Sequence, residues 1–300
     1  MILDWVLTAL AIAILIVITV LLVAALMRKR KPADFKNIGR EGGGLWWVYI
    51  GTGVSTCILF ALVVYTLTTL NTIAKPTTAP GLTVTVTGYD WWWKVSYDDT
   101  DPARRFVTAN EIHIPVGIPI QIKLKSADVI HAFWVPLLAG KTQMIPGLIN
   151  QQWLQADVAG TYRGQCTQYC GVQHAHMAFE IVAQNAGDFD RWQEAQRRSF
   201  VRGSSASTPP SFAAGVKLFD DRCAGCHAVR GTDAIGDHAP DLTHLNSRRL
   251  IAAGLLTNTS EHQIEWITHA QELKPGSRMP SIALSPQQIV DLSAFLTTLK

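Results

Sequence analysis

From Trp5 to Met27 the chain runs through Leu, Ile, Val and Ala without one charged residue, and this stretch limits the fold more than any other. At about 1.5 Å of rise per residue, a helix of that length crosses a hydrocarbon core of roughly 30 Å. A secretory signal is the competing reading. Asp4 is the only early charge, where a signal would carry a basic segment, and the apolar run is long for one. A second uncharged run extends from Leu45 to Ala74. We therefore expect a hairpin of two membrane-spanning helices, over about 5–27 and 46–73, within residues 1–75. Arg28, Lys29, Arg30, Lys31, Lys36 and Arg40 lie between the runs, against Asp34 and Glu41. Loops rich in Lys and Arg stay in the cytoplasm, which places everything after Lys75 outside it. Trp46 and Trp47 suit an interfacial aromatic belt. Glu41 reads first as a solvated loop acid, with a proton-route role as the alternative.

From Gly81 the hydrophobic period changes. Leu82–Thr87, Glu111–Pro115 and Ile118–Lys125 alternate apolar and polar residues, with Pro and Gly turns between them. Period two with β-branched residues predicts antiparallel strands, and several of them within 76–183 predict an all-β sandwich with Greek-key connections. Gly88-Tyr-Asp-Trp-Trp-Trp93 reads as a strand packing its aromatics. A net charge of +3, with no Lys/Arg block among aromatics, argues against nucleic acid as a partner.

The five cysteines do not scatter as a disulfide framework would. Cys57 sits in an apolar run and reads as a small buried hydrophobe. Cys166 and Cys170 fall in Gly164-Gln-Cys-Thr-Gln-Tyr-Cys-Gly-Val-Gln-His-Ala-His-Met177, beside His174, His176 and Met177. Thiols, imidazoles and a thioether together select copper, zinc or iron over magnesium or calcium. Zinc has little use for the thioether. His131, in the apolar context of Ser126–Pro136, would alone read as a core histidine; beside this loop it reads as a further ligand. Spacing favours His174 over His176 as the loop's imidazole ligand.

His131 followed by C-x3-C-x3-H-x2-M resembles subunit II of the haem–copper cytochrome c oxidases, over about residues 1–183. The resemblance implies a cupredoxin-like domain holding the dinuclear copper A centre. Cys166 and Cys170 would bridge two coppers, and His131 and His174 would each cap one. Met177 would be a weak axial ligand and Gln168 would offer its backbone carbonyl. The family often has Glu at the position of Gln168, whose carboxylate also binds magnesium at the subunit I interface. The carbonyl carries over to this chain; the magnesium carboxylate does not. Trp91 matches the leading tryptophan of the family's aromatic cluster, which implies a role as the electron inlet.

After Val182 comes a short helical candidate, Asp188–Arg198, then the Ser/Pro-rich Gly203–Pro210. Residues 184–210 read as a flexible linker. Beyond it, Cys223-Ala-Gly-Cys-His227 is the C-x-x-C-H attachment motif of a c-type haem, with Cys223 and Cys226 as the covalent anchors and His227 as the proximal iron ligand. Met279 is the only methionine after Met177 and the candidate sixth ligand. His238, His244, His262 and His269 are the alternatives. Ser285 with Pro286 should start a last helix that packs Ile289, Leu292, Phe295 and Leu296 inward. Residues 211–300 resemble a small all-α class I cytochrome c, with Pro240 matching the proline that supports the proximal histidine.

Joined, the pieces resemble subunit II of a cytochrome-c-fused (caa-type) bacterial oxidase. That implies one covalent haem c, two coppers, and a place in the bacterial plasma (inner) membrane. It also implies subunit I with haem a as acceptor, with dioxygen reduction and proton pumping in that subunit. Subunit III and a cytochrome c or cytochrome bc donor are further implied partners. A quinol oxidase subunit shares the hairpin and sandwich but lacks copper ligands. A copper-A-containing nitric oxide reductase subunit remains an alternative, as does a membrane-tethered copper-delivery protein, which leaves the fused haem unexplained.

Overall fold

The computed structural model describes residues 2–28, 45–76, 78–202 and 209–300. The chain divides into two compact units, Met1–Asn71 and Thr72–Lys300. The first contains α1 (Ile2–Met27) and all but the last two residues of α2 (Leu45–Ile73). Their apolar spans reach a mean hydropathy of 3.2 and 2.0, long and apolar enough to cross a membrane. Leu21, Phe60 and Leu67 face outward along them, an arrangement that is unfavourable in water and not in lipid. Cys57, expected to be buried, is exposed on α2, because the described residues put no protein cover over that face. Lys29 to Arg40 and Glu41 lie outside the described residues.

The second unit begins with ten strands. They are β1 (Leu82–Tyr89), β2 (Trp92–Asp98), β3 (Phe106–Ala109), β4 (Glu111–Pro115) and β5 (Ile120–Ser126). These are followed by β6 (His131–Val135), β7 (Ala139–Met144), β8 (Asn150–Leu154), β9 (Gly160–Cys166) and β10 (Ala178–Gln184). They form two five-stranded sheets, β3-β2-β1-β5-β8 and β4-β10-β9-β6-β7. Val84, Trp93 and Ile122 from one sheet and Ile112, Phe133 and Phe179 from the other share a single core. The expected strands are present, but two pairings are parallel rather than antiparallel: β1 with β5, and β4 with β10. The chain changes sheet at Asn110, which has φ of 61°, and returns to the first sheet at β5, alongside β1. Alternation fixes which face of a strand is buried and is blind to the direction of its neighbour. The aromatic run expected as a strand is instead the end of β1, a turn at Asp90 and Trp91, and the start of β2.

Helix α3 (Ala186–Arg197) opens the expected linker, yet it packs on the sandwich. Phe189 and Trp192, three residues apart on one face, join its core, and the Trp192 ring stacks on His113 with 3.9 Å between centroids. Residues 203–208 lie outside the described residues.

The C-terminal domain comprises α4 (Pro210–Arg222), a small hairpin of β11 (Leu250–Ile251) and β12 (Leu256–Thr257), α5 (Ser260–Leu273) and α6 (Pro286–Leu296). Helices α4 and α6 cross closely at Gly215, where a Cβ would stand 2.0 Å from the Asp291 carbonyl oxygen. Phe219 then meets Phe295 at 5.1 Å, edge to face. The Ser285 start is a full capping box with Gln288, and Leu292, Phe295 and Leu296 are buried as expected, with Ile289 half-buried. Helix α5 was not legible beforehand, because only Gln263 and Ala270 are fully buried and its other face is Glu- and His-rich.

A loosely tethered C-terminal domain was expected; in the structure it rests directly on the sandwich. The Arg249 N–H donates to Glu111 Oε2 at 3.0 Å, Arg249 Nε to Glu180 Oε2 at 3.0 Å, and the Ala178 N–H to the Ala253 carbonyl at 3.0 Å. Burial works to raise the Glu111 carboxyl, but the hydrogen bond and charge of His113, the Arg249 N–H and the Arg248 charge outweigh it and hold the group below its ordinary value. A depressed carboxyl contributes stability above its unfolded value of about 4.5, lost as pH falls through the lower folded one. The denaturant midpoint of the full-length chain should therefore fall on acidification below that range, and Glu111→Gln should flatten the fall. An unchanged acid limb in that variant would remove Glu111 from this role.

Candidate metal centre

Strand β9 ends at Cys166 and β10 begins at Ala178, so both ends of the intervening loop are fixed by the sheet. The Cys166 N–H donates to the Met177 carbonyl at 3.0 Å and closes the loop at its base. Within it the two sulfurs of Cys166 and Cys170 lie 3.8 Å apart. Around them stand the Gln168 carbonyl oxygen, 3.2 Å from Cys166 Sγ, and Met177 Sδ, 3.8 Å from Cys170 Sγ. His174 Nδ1 is 3.5 Å from Cys170 Sγ, and His131 Nδ1, at the head of β6, is 3.9 Å from Cys166 Sγ. Six donor atoms thus face one small space. His131 and Met177 are fully buried, while His174 is half-buried. His176 turns away: it is exposed and its Nδ1 pairs with Gln173 Oε1 at 2.7 Å.

His131 is aimed by its surroundings. Asp128 Oδ1 accepts from its Nε2 at 2.8 Å, which leaves Nδ1 directed at the sulfurs. Burial works to lower its pKa, but the Asp128 bond and the Cys166 sulfur raise it to about 9. The hydrogen bond from Cys170, reinforced by His131 and backbone N–H groups, holds the Cys166 thiol far below its ordinary value, and Cys170 beside it is raised. Gly88 makes room for the imidazole, since a Cβ there would stand 2.8 Å from His131 Cδ2. Two thiol sulfurs, two imidazole nitrogens, a thioether and a carbonyl suit soft, thiolate-bridged metals.

A second feature lies between the sandwich and the C-terminal domain. It is a cavity of about 450 Å³, within the usual range for a cofactor site. Cys223, Cys226, His227 and Met279 all line it. His227 directs Nδ1–H to the Pro240 carbonyl at 2.7 Å, so its Nε2 is unencumbered by that bond. Burial holds its pKa below the ordinary histidine value. Burial also pushes the Cys223 thiol up to about 11. Of the other candidate iron ligands, His238 lines the cavity but is exposed, and His244, His262 and His269 do not line it. His244 is engaged by the Lys300 and Arg198 carbonyls. Two thiols three residues apart, a half-buried imidazole and a thioether around an apolar cavity fit a covalent haem.

Trp91 joins the two sites. Its indole Nε1–H donates to the Cys170 carbonyl at 2.8 Å, and the residue also lines the cavity. Sequence reasoning passed over Asp128, although it lies three residues before His131, and over Gly88, whose role is a close approach with no local signature.

Residues 99–185 match the family described as cytochrome C oxidase subunit II, periplasmic domain, and residues 212–300 match cytochrome c. The chain is 32% identical over 301 residues to a cytochrome c oxidase subunit 2 of Alkalihalophilus pseudofirmus, covering 97% of this chain and 84% of that one. It is 28% identical over 291 residues to a cytochrome c oxidase subunit 2 of a Bacillus species, covering 91% and 80%. A crystal structure of the periplasmic domain of cytochrome oxidase subunit II from Bradyrhizobium japonicum is 31% identical, with a TM-score of 0.38, covering 41% of this chain and 97% of that one. With two apolar helices, a cupredoxin-like sandwich and a C-terminal cytochrome c domain, the chain belongs to the cytochrome c oxidase subunit II family, in its cytochrome-c-fused form.

Proposed function

We propose that this chain passes electrons from an external donor through its own haem c and a dinuclear copper A centre to haem a of subunit I, for reduction of dioxygen to water. The observation that carries the reading is the convergence of six donor atoms from Cys166, Cys170, His131, His174, Met177 and the Gln168 carbonyl. Cys166, Cys170, His131, His174, Met177 and the Gln168 carbonyl would hold two coppers, and Cys223, Cys226, His227 and Met279 would hold a haem; each group, when bound, would supply a one-electron carrier. The protein's part is to keep those donors still. Sheet-anchored loop ends, the Asp128 bond to His131 and the buried Met177 do this at the copper site; the Pro240 bond does it for His227. A rigid mount leaves little to rearrange when charge changes.

Trp91 is the electron inlet, positioned by its bond to Cys170 and its place in the cavity wall. Both apolar helices cross the bacterial inner membrane, with the Arg28–Lys31 loop in the cytoplasm and the sandwich and cytochrome domain outside. Subunits I and III are the membrane partners, and a soluble cytochrome c or a cytochrome bc complex is the donor. Gln168 supplies no carboxylate for magnesium.

The test is metal analysis and electron paramagnetic resonance on the full-length chain purified from its membrane. Two coppers per haem, with hyperfine structure from one electron shared equally, are expected. A single copper, or metal stripped by mild chelation, would overturn the dinuclear assignment.

A further inference from the structure

Lys274, the residue that ends α5, is 2% exposed, yet no carboxylate pairs with it among the described residues. An ammonium has three donors, and here each meets a carbonyl from a different segment. Nζ donates to His176 O in the metal loop at 2.7 Å, to Trp91 O at 2.8 Å and to Ala252 O in its own domain at 3.0 Å. Each of these carbonyls would lose a hydrogen-bond donor if the domains parted, so three bonds to one nitrogen favour the docked geometry.

The receiving segment is built for the contact. Ala252 and Ala253 have φ of 53° and 61°, a left-handed conformation that non-glycine residues seldom adopt, and Gly254 follows at 81°. This bend turns the Ala252 carbonyl to Lys274 and the Ala253 carbonyl across the boundary to the Ala178 N–H. One residue beyond Lys274, the Pro275 carbonyl accepts from Gln173 Nε2 at 2.9 Å, again across the boundary.

We infer that Lys274 is the latch that holds the C-terminal domain against the metal loop, and thereby positions Trp91 between the copper site and the haem cavity. Trp91 is held at both ends, its carbonyl by Lys274 and its indole by the Cys170 carbonyl. Without the Lys274 nitrogen, three carbonyls from three segments lose this donor at once.

Two amide protons report on the boundary directly, those of Ala178 and Arg249, because each is donated across it. In full-length Lys274→Met in detergent, hydrogen exchange at both should accelerate about tenfold, the factor expected when the net contribution of one to two hydrogen bonds across the boundary is lost. Exchange at Val84 and Val86 in β1 should stay unchanged. Unchanged exchange at Ala178 and Arg249, or equal acceleration in β1, would overturn the latch. A second measurement needs no variant. Acetylation of the native chain should modify Lys274 far more slowly than the exposed Lys217, in step with exchange at Ala178; equal labelling of the two lysines overturns the inference. In the metal-loaded chain, Lys274→Met should also slow haem-to-copper electron equilibration about tenfold, with both metal spectra unchanged. That readout rests on the proposed function and the exchange readout does not, so failure of one is distinguishable from failure of the other.

Discussion

Cys166→Ser is expected to abolish copper binding and its resonance signal while leaving the haem spectrum intact. Cys166 is 1% exposed and stands at the centre of the donor set, within 3.9 Å of Cys170, His131 and the Gln168 carbonyl. A serine hydroxyl is a hard, far less acidic donor and cannot take the bridging place of a thiolate. Losing an outer partner of a metal ligand costs about 10–100-fold in affinity, so loss of a bridging ligand should cost more than about 100-fold. Cys223 and Cys226, the proposed haem anchors, lie in another domain and are untouched. Metal analysis of the purified variant decides the matter; retention of two coppers would remove Cys166 from the bridging role. The same analysis on His176→Ala, a residue turned away from the site, should show wild-type copper.

Met279→Ala is expected to do the reverse, changing the haem and sparing the copper signal. Met279 lines the cavity with His227, and a thioether opposite an imidazole raises a haem potential. The variant should keep its haem through Cys223 and Cys226 and lose the sulfur-to-iron absorption band. Its potential should fall by on the order of 0.1–0.3 V, a fraction of the ~0.8 V over which axial ligands act. Redox titration of the full-length chain measures it. A normal band and potential in that variant would reassign the sixth position, with His238 the next candidate because it also lines the cavity.

Cys166, Cys170, His174 and Met177 were legible because they sit in one short loop, where spacing along the chain limits which side chains can meet. Cys223, Cys226 and His227 were legible for the same reason. Met279 was found by elimination among methionines, and His131 by its chemistry beside the loop. The choice between His174 and His176 rested on spacing, and in the structure a single contact with Gln173 turns His176 outward. Strand positions followed from alternation, whereas the parallel pairing of β1 with β5 did not, because alternation carries no direction. Helix α5 was missed because its buried face is too small to leave a period.

The amino-acid sequence by itself determined the membrane-length helices, the two cofactor motifs and the division into helical hairpin, sandwich and cytochrome. Each of these depends on residues close along the chain, where composition and spacing act directly. Only the tertiary structure decided that the cytochrome domain is docked on the sandwich, that Asp128 and Gly88 orient His131, and that Trp91 touches both the cysteine loop and the cavity lined by Cys223 and His227. Those arrangements depend on groups far apart in the chain, such as Lys274 and the Trp91 carbonyl, 183 residues from each other and 2.8 Å apart in space. No local pattern encodes such a pair, because its energy exists only once both domains are folded and water has been excluded from between them.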